Sequence, residues 1–306
     1  MAATSEIQNM AVFCDFENVA LGVREANYPQ FDIGKVLERL LLKGSIVVKK
    51  AYCDWERYKE FKKPMHEAAF ELIEIPHVRQ SGKNSADIRM VVDALDLCYT
   101  KVHLDCFVII SGDSDFSPLV SKLRENDKLV IGVGVRKSTS DLLTANCDEF
   151  IFYDDLVKEA LAKEQKRRQR QQKLAETPPA AKEPVTVRAE TKKPGRSAPK
   201  KPVPESVLKT PATVVTEEED AKRLQGIQRV VETIEAMVSE RGSGDRLVAG
   251  EIKNTIKRRS PEFSEAAYGF NRFEKVLEAA AGRGLLITSR DEKTGNLFVR
   301  LPTRDD

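Results

Sequence analysis

The stretch Cys106–Phe116, CFVIISGDSDF, decides the fold class of this chain. Its first five residues are apolar, which is typical of a strand buried on both faces of a sheet. The polar run Ser-Gly-Asp-Ser-Asp follows at once, so Asp113 and Asp115 come where that strand ends. Open α/β sheets bind their ligands at the carboxyl ends of strands. The stretch therefore predicts a buried parallel strand with a carboxylate site at its tip.

The segments around this stretch alternate between two patterns. Apolar, β-branched runs predict four further strands, at 10–16, 45–55, 129–136 and 149–156. Apolar residues at helical spacing predict helices at 31–44, 56–73, 86–100, 117–128 and 139–147. Asp32 and Ser117 are predicted as N-caps, and Pro64 as a break or restart in the second helix. Alternating strands and helices with right-handed crossovers predict an α/β fold with a doubly wound parallel sheet.

Three regions divide the 306 residues. Residues 8–158 carry the α/β pattern described above. Residues 159–221 begin as a charged helical extension and become rich in Pro, Lys and Glu, with 8 of the 14 prolines between Pro178 and Pro211. This composition predicts a disordered linker. Residues 222–303 return to a globular pattern of three helices and a terminal β-hairpin, which predicts a small winged-helix (α+β) domain.

The distribution of charge and the number of cysteines suggest a cellular location and a class of binding partner. Residues 1–158 hold 20 Lys and Arg against 25 Asp and Glu, whereas residues 159–306 hold 30 against 23. A polyanion would therefore be held mainly by the rear of the chain. Five cysteines without a C-x-x-C pair favour a reducing, cytoplasmic location. No apolar run is long enough for a membrane helix, so we expect no membrane partner.

Acidic residues recur where the predicted sheet would bind a ligand. Asp15 stands at the C-terminal end of the first strand, Asp113 and Asp115 stand at the C-terminal end of the strand of CFVIIS, and Asp87 begins a helix. If the two strands are neighbours, these carboxylates meet at one edge and repel each other. Oxygen ligands of this kind suit Mg²⁺ or Mn²⁺. Taken singly, each aspartate is more commonly a turn former or a helix cap than part of a functional site.

Four segments of the front region form an ordered set of motifs: VFCDFENV, GKNSADIRMVVDAL, VIISGDSDFSPLVSKLRENDKLVIGVG and SDLLTANCDEFIFYDDL. With these motifs the front of the chain resembles the NYN domain, a branch of the PIN-like nuclease superfamily. This resemblance implies a metal-dependent ribonuclease that uses one or two ions. The implied catalytic and metal-binding residues are Asp15, Asp87, Asp113 and Asp115, supported by Asn18 and Ser111. Loop residues Lys83, Arg136 and Lys137 are candidate RNA contacts or ordinary surface charges.

The rear of the chain combines a closing hairpin with a set of mainly apolar residues: Tyr268, Gly269, Phe270, Phe273 and Leu277. In these features it resembles the OST-HTH domain, also called LOTUS. The resemblance implies a module that binds RNA or docks a protein partner. Candidate phosphate contacts are Lys253, Lys257, Arg258, Arg259 and Arg272, although a solvated basic face explains them equally well.

Two functions remain open from the sequence. The first is a metal-dependent ribonuclease whose RNA is recruited by a tethered C-terminal module, which raises the local RNA concentration. The second is a non-catalytic RNA-binding or regulatory adaptor that keeps the PIN-like fold. A phosphatase or nucleotide-binding enzyme is disfavoured, since no P-loop pattern G-x-x-x-x-G-K-[ST] occurs. The oligomeric state is left undetermined by the sequence.

Overall fold

A six-stranded, wholly parallel sheet forms the centre of the front region. The computed structural model describes residues 8–75, 85–176, 217–241, 246–291 and 295–302. The strand order is β3-β2-β1-β4-β5-β6, so the order reverses between β1 and β4. The strands are β1 (Gln8–Asp15), β2 (Gly44–Cys53), β3 (Glu71–Glu74), β4 (Cys106–Ile110), β5 (Leu129–Gly134) and β6 (Glu149–Phe152).

Helices cover both faces of this sheet and bury one core on each. Helices α1, α2, α3 and α7 contribute to one core, and helices α4, α5 and α6 to the other. Since both faces are covered, the central strand β4 is fully buried along its length. The helices are α1 (Phe16–Glu25), α2 (Ile33–Lys43), α3 (Lys59–Glu67), α4 (Ser85–Thr100), α5 (Ser117–Glu125), α6 (Asp141–Asn146) and α7 (Tyr153–Glu176). This architecture confirms the predicted PIN-like α/β fold.

The C-terminal unit, residues 217–302, has a core of its own. Three helices pack together with a short antiparallel sheet of order β7-β9-β8, as the predicted helices and hairpin require. Its elements are α8 (Glu217–Arg241), β7 (Leu247–Val248), α9 (Ala249–Arg259), α10 (Phe273–Ala281), β8 (Ile287–Arg290) and β9 (Leu297–Arg300). Gly284 follows α10 with φ of 71°, a conformation that favours glycine at a helix end. The predicted linker falls largely on residues 177–216, outside the described residues.

Helix α3 and strand β3 replace the single helix predicted over 56–73. The helix ends at Glu67, and Ala69 takes a left-handed φ of 57°, which turns the chain into β3. Pairing of β3 with β2 therefore overrides the helical spacing of the apolar residues. The predicted break at Pro64 is also wrong, because Pro64 lies inside α3.

Two further expectations differ from the structure at helix starts. Helix α1 begins directly after β1 and was not predicted, although Phe16, Val19 and Val23 are buried at helical spacing. Ser117 is not the N-cap of α5, because it has helical backbone angles and Phe116 takes the cap position. A 3-10 turn, Ser114–Phe116, precedes α5 and shifts its start. Asp32 caps α2 as predicted, accepting a hydrogen bond from Gly34 N.

Candidate active site

The predicted site lies where β1 and β4 end side by side. The two strands are paired up to Cys14 and Ile110, the residues before Asp15 and Ser111. The strand order reverses between these two strands, which is where open α/β sheets leave a crevice for a ligand. The pairing therefore brings Asp15 next to the Ser-Gly-Asp-Ser-Asp loop, as the sequence predicts.

Asp15 is the most deeply held carboxylate of the site. Its side chain is only 8% exposed. One oxygen accepts a hydrogen bond from Ser111 Oγ at 2.9 Å, and the other accepts one from the backbone N–H of Asn18 at 3.4 Å. The second bond caps the start of α1, so Asp15 has a structural role at this helix end.

The loop that follows β4 is fixed by its own polar groups. Ser111 Oγ accepts a hydrogen bond from Asp113 N at 3.2 Å, and Asp113 Oδ1 accepts one from Asp115 N at 3.0 Å. Asn18 Oδ1 accepts a hydrogen bond from Gly112 N at 2.9 Å, which ties the loop to α1. Asn18 and Ser111 thus orient the backbone and the acids around them.

Electrostatic repulsion among the acids shows that they share one region. Burial is the main cause that raises the pKa of Asp15 to about 7, and repulsion from Asp87 adds to it. Hydrogen bonds from Ser111 and Asn18 oppose this rise. Burial also raises the pKa of Asp87 to about 6, with added repulsion from Asp113 and Asp115.

A hard divalent cation fits the chemistry of these donors. The four acids offer carboxylate oxygens. Burial, and then repulsion from neighbouring acids, raises the pKa of Asp15 and Asp87, and a bound cation would favour their charged forms. Within the described ranges, however, no three Asp, Glu, His or Cys side chains are close enough to enclose an ion directly. The donor set therefore suits an ion that keeps several of its waters, as Mg²⁺ does.

Glu17 and Arg57 belong to the same edge and were not singled out from the sequence. The carboxylate of Glu17 adds to the repulsion that raises the pKa of Asp87. Arg57 Nη1 lies 3.1 Å from Glu17 Oε1, and about half of the Arg57 side chain is exposed. The position of Glu17, two residues after Asp15 at a strand end, was the signal available in the sequence.

The predicted RNA-contacting residues of the front region have partners within the protein. Arg136 lies 3.8 Å from the ring centre of Phe152 and 2.8 Å from Asp155. Lys137 Nζ donates to the backbone oxygen of Glu25 at 3.1 Å. Lys83 lies outside the described residues. These contacts give Arg136 and Lys137 a role in fixing the loop after β5.

The five basic residues predicted in the C-terminal unit fall into two groups. Lys257 and Arg272 are exposed to solvent. Contacts within the protein occupy the other three: Lys253 pairs with Glu265 at 2.7 Å, Arg258 donates to Thr255 at 3.0 Å, and Arg259 donates to Thr233 at 3.4 Å. Burial also lowers the pKa of Arg258.

All five cysteines are free thiols, and four of them are buried. None of the helices in the described part of the chain combines the length and the apolar character that crossing a membrane requires.

Comparisons with known proteins identify the front region. The family model of the NYN domain matches residues 9–154. A search of curated proteins gave no significant match. One similar solved structure is a protein of unknown function from Vibrio parahaemolyticus, with 26% identity and a TM-score of 0.44. That alignment covers 51% of this chain and 98% of the other. By the family model, residues 9–154 are similar to the NYN domain, a branch of the PIN-like nuclease superfamily.

Proposed function

We propose that the NYN domain of this chain is a metal-dependent ribonuclease that hydrolyses RNA phosphodiester bonds at the acidic edge of its sheet. The observation that carries the proposal is the convergence of Asp15 and Asp87, whose pKa values are raised to about 7 and about 6 by burial and by neighbouring acids. Like charges gathered at a strand edge indicate a cation site with a catalytic role.

The residues divide into those that hold the ion and those that position them. Asp15, Asp87 and Asp113 hold Mg²⁺ or Mn²⁺ directly or through water, and Asp115 is a fourth ligand. When bound, the ion supplies charge neutralisation at the phosphate and a water of lowered pKa. Ser111 keeps one Asp15 oxygen in place through its 2.9 Å hydrogen bond.

The C-terminal unit serves this reaction as a module that binds RNA or a protein partner. Its exposed cations, Lys257 and Arg272, contact phosphates and do not read bases. In this proposal the protein works in the cytoplasm, in keeping with its five free thiols.

One observation favours the alternative of a non-catalytic RNA-binding adaptor. The acids of the described residues are not gathered tightly enough to enclose an ion. An adaptor would bind RNA with the same affinity with and without a divalent cation, and would leave the RNA intact.

A cleavage assay on labelled single-stranded RNA and DNA, with Mg²⁺, Mn²⁺ or EDTA, tests the proposal. We expect cleavage of RNA that needs the metal and falls more than about 100-fold in Asp15→Asn, because a charged group of the site is lost. Gel-shift binding of RNA should be unchanged in that variant.

Asp127→Asn is the matched control for this assay. Asp127 is exposed, precedes β5 at the opposite edge of the sheet, and has a φ of 57° that asparagine tolerates. The Asp127→Asn variant should cleave RNA like the wild type. Full activity of Asp15→Asn would refute the site, and intact RNA in every metal condition would favour the adaptor.

A further inference from the structure

The outer face of α2 is a contact surface between the NYN domain and the C-terminal unit. Helix α2 contacts α8 and α9 of that unit as well as α7 of its own domain. Leu42 of α2 is 9% exposed and belongs to the buried cluster whose other members all come from residues 227–299. One apolar side chain of the NYN domain is therefore part of the core of the C-terminal unit.

Glu240 of α8 reaches across this contact to two cations of α2. Its carboxylate lies 2.5 Å from Arg39 Nη1, and it also pairs with Lys43 Nζ. The three side chains are only 13%, 22% and 17% exposed for Glu240, Arg39 and Lys43. Most ion pairs elsewhere in the described residues are far more exposed, and exposed pairs contribute little to stability.

The same two cations are anchored within the NYN domain. Lys43 Nζ lies 2.9 Å from Glu149 at the start of β6, and Arg39 lies 3.5 Å from Glu159 of α7. Burial lowers the pKa of Lys43, but hydrogen bonds to Glu240 and Glu149 outweigh it and raise the pKa above its ordinary value. Lys43 is therefore a fixed cation that faces the C-terminal unit.

This contact lies at the edge of the sheet away from the acids. Helix α2 ends at Lys43, where β2 begins, and Glu149 is the first residue of β6. Both residues therefore mark the amino edge of the parallel sheet. Asp15 is the last residue of β1 and Ser111 directly follows β4, so both stand at the carboxyl edge.

We propose that α2 is a docking surface for the C-terminal unit of the same chain, and that Glu240 locks the unit there by pairing with Arg39 and Lys43. The docked unit is held at the amino edge of the sheet and leaves the acidic edge open to substrate. Removing the charge of Glu240 leaves two partly buried cations without one of their acids, which weakens the contact.

The test uses the full chain with a protease recognition sequence inserted between residues 190 and 191. After cleavage, we expect the two fragments to migrate together in size-exclusion chromatography at low salt, with the 34 kDa mass of one chain. Glu240→Lys should raise the dissociation constant of the fragments more than about tenfold and separate them. High salt should weaken the wild-type contact in the same direction.

Asp220→Lys is the matched control, because it makes the same charge change at the exposed start of α8. Its fragments should remain together. Arg39→Glu tests the contact from the NYN side, so a folding defect of the C-terminal unit in Glu240→Lys does not decide the result. Circular dichroism of each separated fragment confirms that it is folded.

Three results would overturn the proposal. These are separation of the wild-type fragments at low salt, fragments that stay together in both Glu240→Lys and Arg39→Glu, and a complex with the mass of two chains. The last result would show that the unit docks on a second copy. None of these readouts depends on RNA cleavage, so the proposal stands or falls separately from the nuclease function.

Discussion

The surroundings of Asp15 favour its charged form in one way and disfavour it in another. Hydrogen bonds from Ser111 Oγ and Asn18 N favour its charged form, whereas burial and the neighbouring Asp87 disfavour that form. The second influence is stronger, since the pKa rises from the usual 3.8 to about 7. A neutral asparagine would cap α1 equally well and without this cost to folding. The presence of a carboxylate therefore indicates a functional requirement.

In the metal-free protein, the free-energy cost of a charged, buried Asp15 should appear in the pH dependence of stability. Because the pKa of Asp15 is higher in the folded state, the folded state keeps its proton where the unfolded chain loses it. The contribution of Asp15 to the free energy of unfolding is fully present below about pH 4 and is lost as the pH rises to about 7. The loss is at most about 4 kcal/mol, from the pKa difference.

Thermal melts in EDTA between pH 4 and pH 8 measure this effect. We expect Asp15→Asn to flatten the curve and to melt at a higher temperature than the wild type at pH 8. The control Asp127→Asn should follow the wild-type curve. A variant Asp15→Asn that melts at a lower temperature than the wild type at pH 8 would contradict the raised pKa.

At the scale of elements, the loop after β4 depends on close contact with the loop after β5. Ser140 N donates to Gly112 O at 2.9 Å. A Cβ atom on Gly112 would lie 2.3 Å from the backbone oxygen of Ser138, so a larger residue must push the two loops apart. The acids of the loop are therefore positioned by a backbone contact that only glycine allows.

Gly112→Ala should disturb both stability and cleavage for this reason. We expect a loss of roughly 1–3 kcal/mol in the free energy of unfolding, as for other overpacked sites. RNA cleavage should fall even at temperatures where the variant is fully folded, because Asp113 moves with the loop.

Chemical denaturation and the RNA cleavage assay measure the two effects. Gly250→Ala is the control, since an added Cβ there meets no atom within 4 Å and lies in helix α9. That variant should be as stable as the wild type or more so by up to about 1 kcal/mol. Wild-type stability and activity of Gly112→Ala would show that the loop contact is not needed.

Most elements could be predicted from local pattern, and the failures have local causes. β4 and α4 follow from an unbroken apolar run and from helical spacing, respectively. β3 could not be predicted, because its four residues become a strand only by pairing with β2. The docking of α2 on α8 was equally hidden, since Leu42 and Glu240 are distant in sequence and each looks like part of an ordinary amphipathic helix.

The sequence predicts that the candidate acids lie at one edge of the sheet, but it does not predict the distances between them. Strand-end positions sufficed to group Asp15 with Asp113, because β1 and β4 proved to be neighbours. Glu17 was missed because it lies on α1, which was not predicted. Whether carboxylates lie close enough together to enclose an ion depends on side-chain placement. The pattern of residue types carries no information on that placement.

At the scale of the whole molecule, the two units differ in the sign of their net charge, and the C-terminal unit lies away from the acidic edge of the sheet. The first 158 residues carry a net charge of −5, and the acids at the carboxyl edge add a local repulsion for any nucleic acid. In the proposed function, a bound cation would neutralise the acids where the RNA phosphate would lie. The C-terminal unit contacts the NYN domain through α2, away from these acids, so it does not cover them.

Binding of Mn²⁺ to the RNA-free protein tests the central claim most directly. The electron paramagnetic resonance signal of free Mn²⁺ measures how much of the ion is bound. We predict that the wild type and Asp127→Asn bind one or two ions per chain, and that Asp15→Asn binds at least about tenfold more weakly. Equal Mn²⁺ binding by the wild type and Asp15→Asn, or no binding by the wild type, would contradict the account.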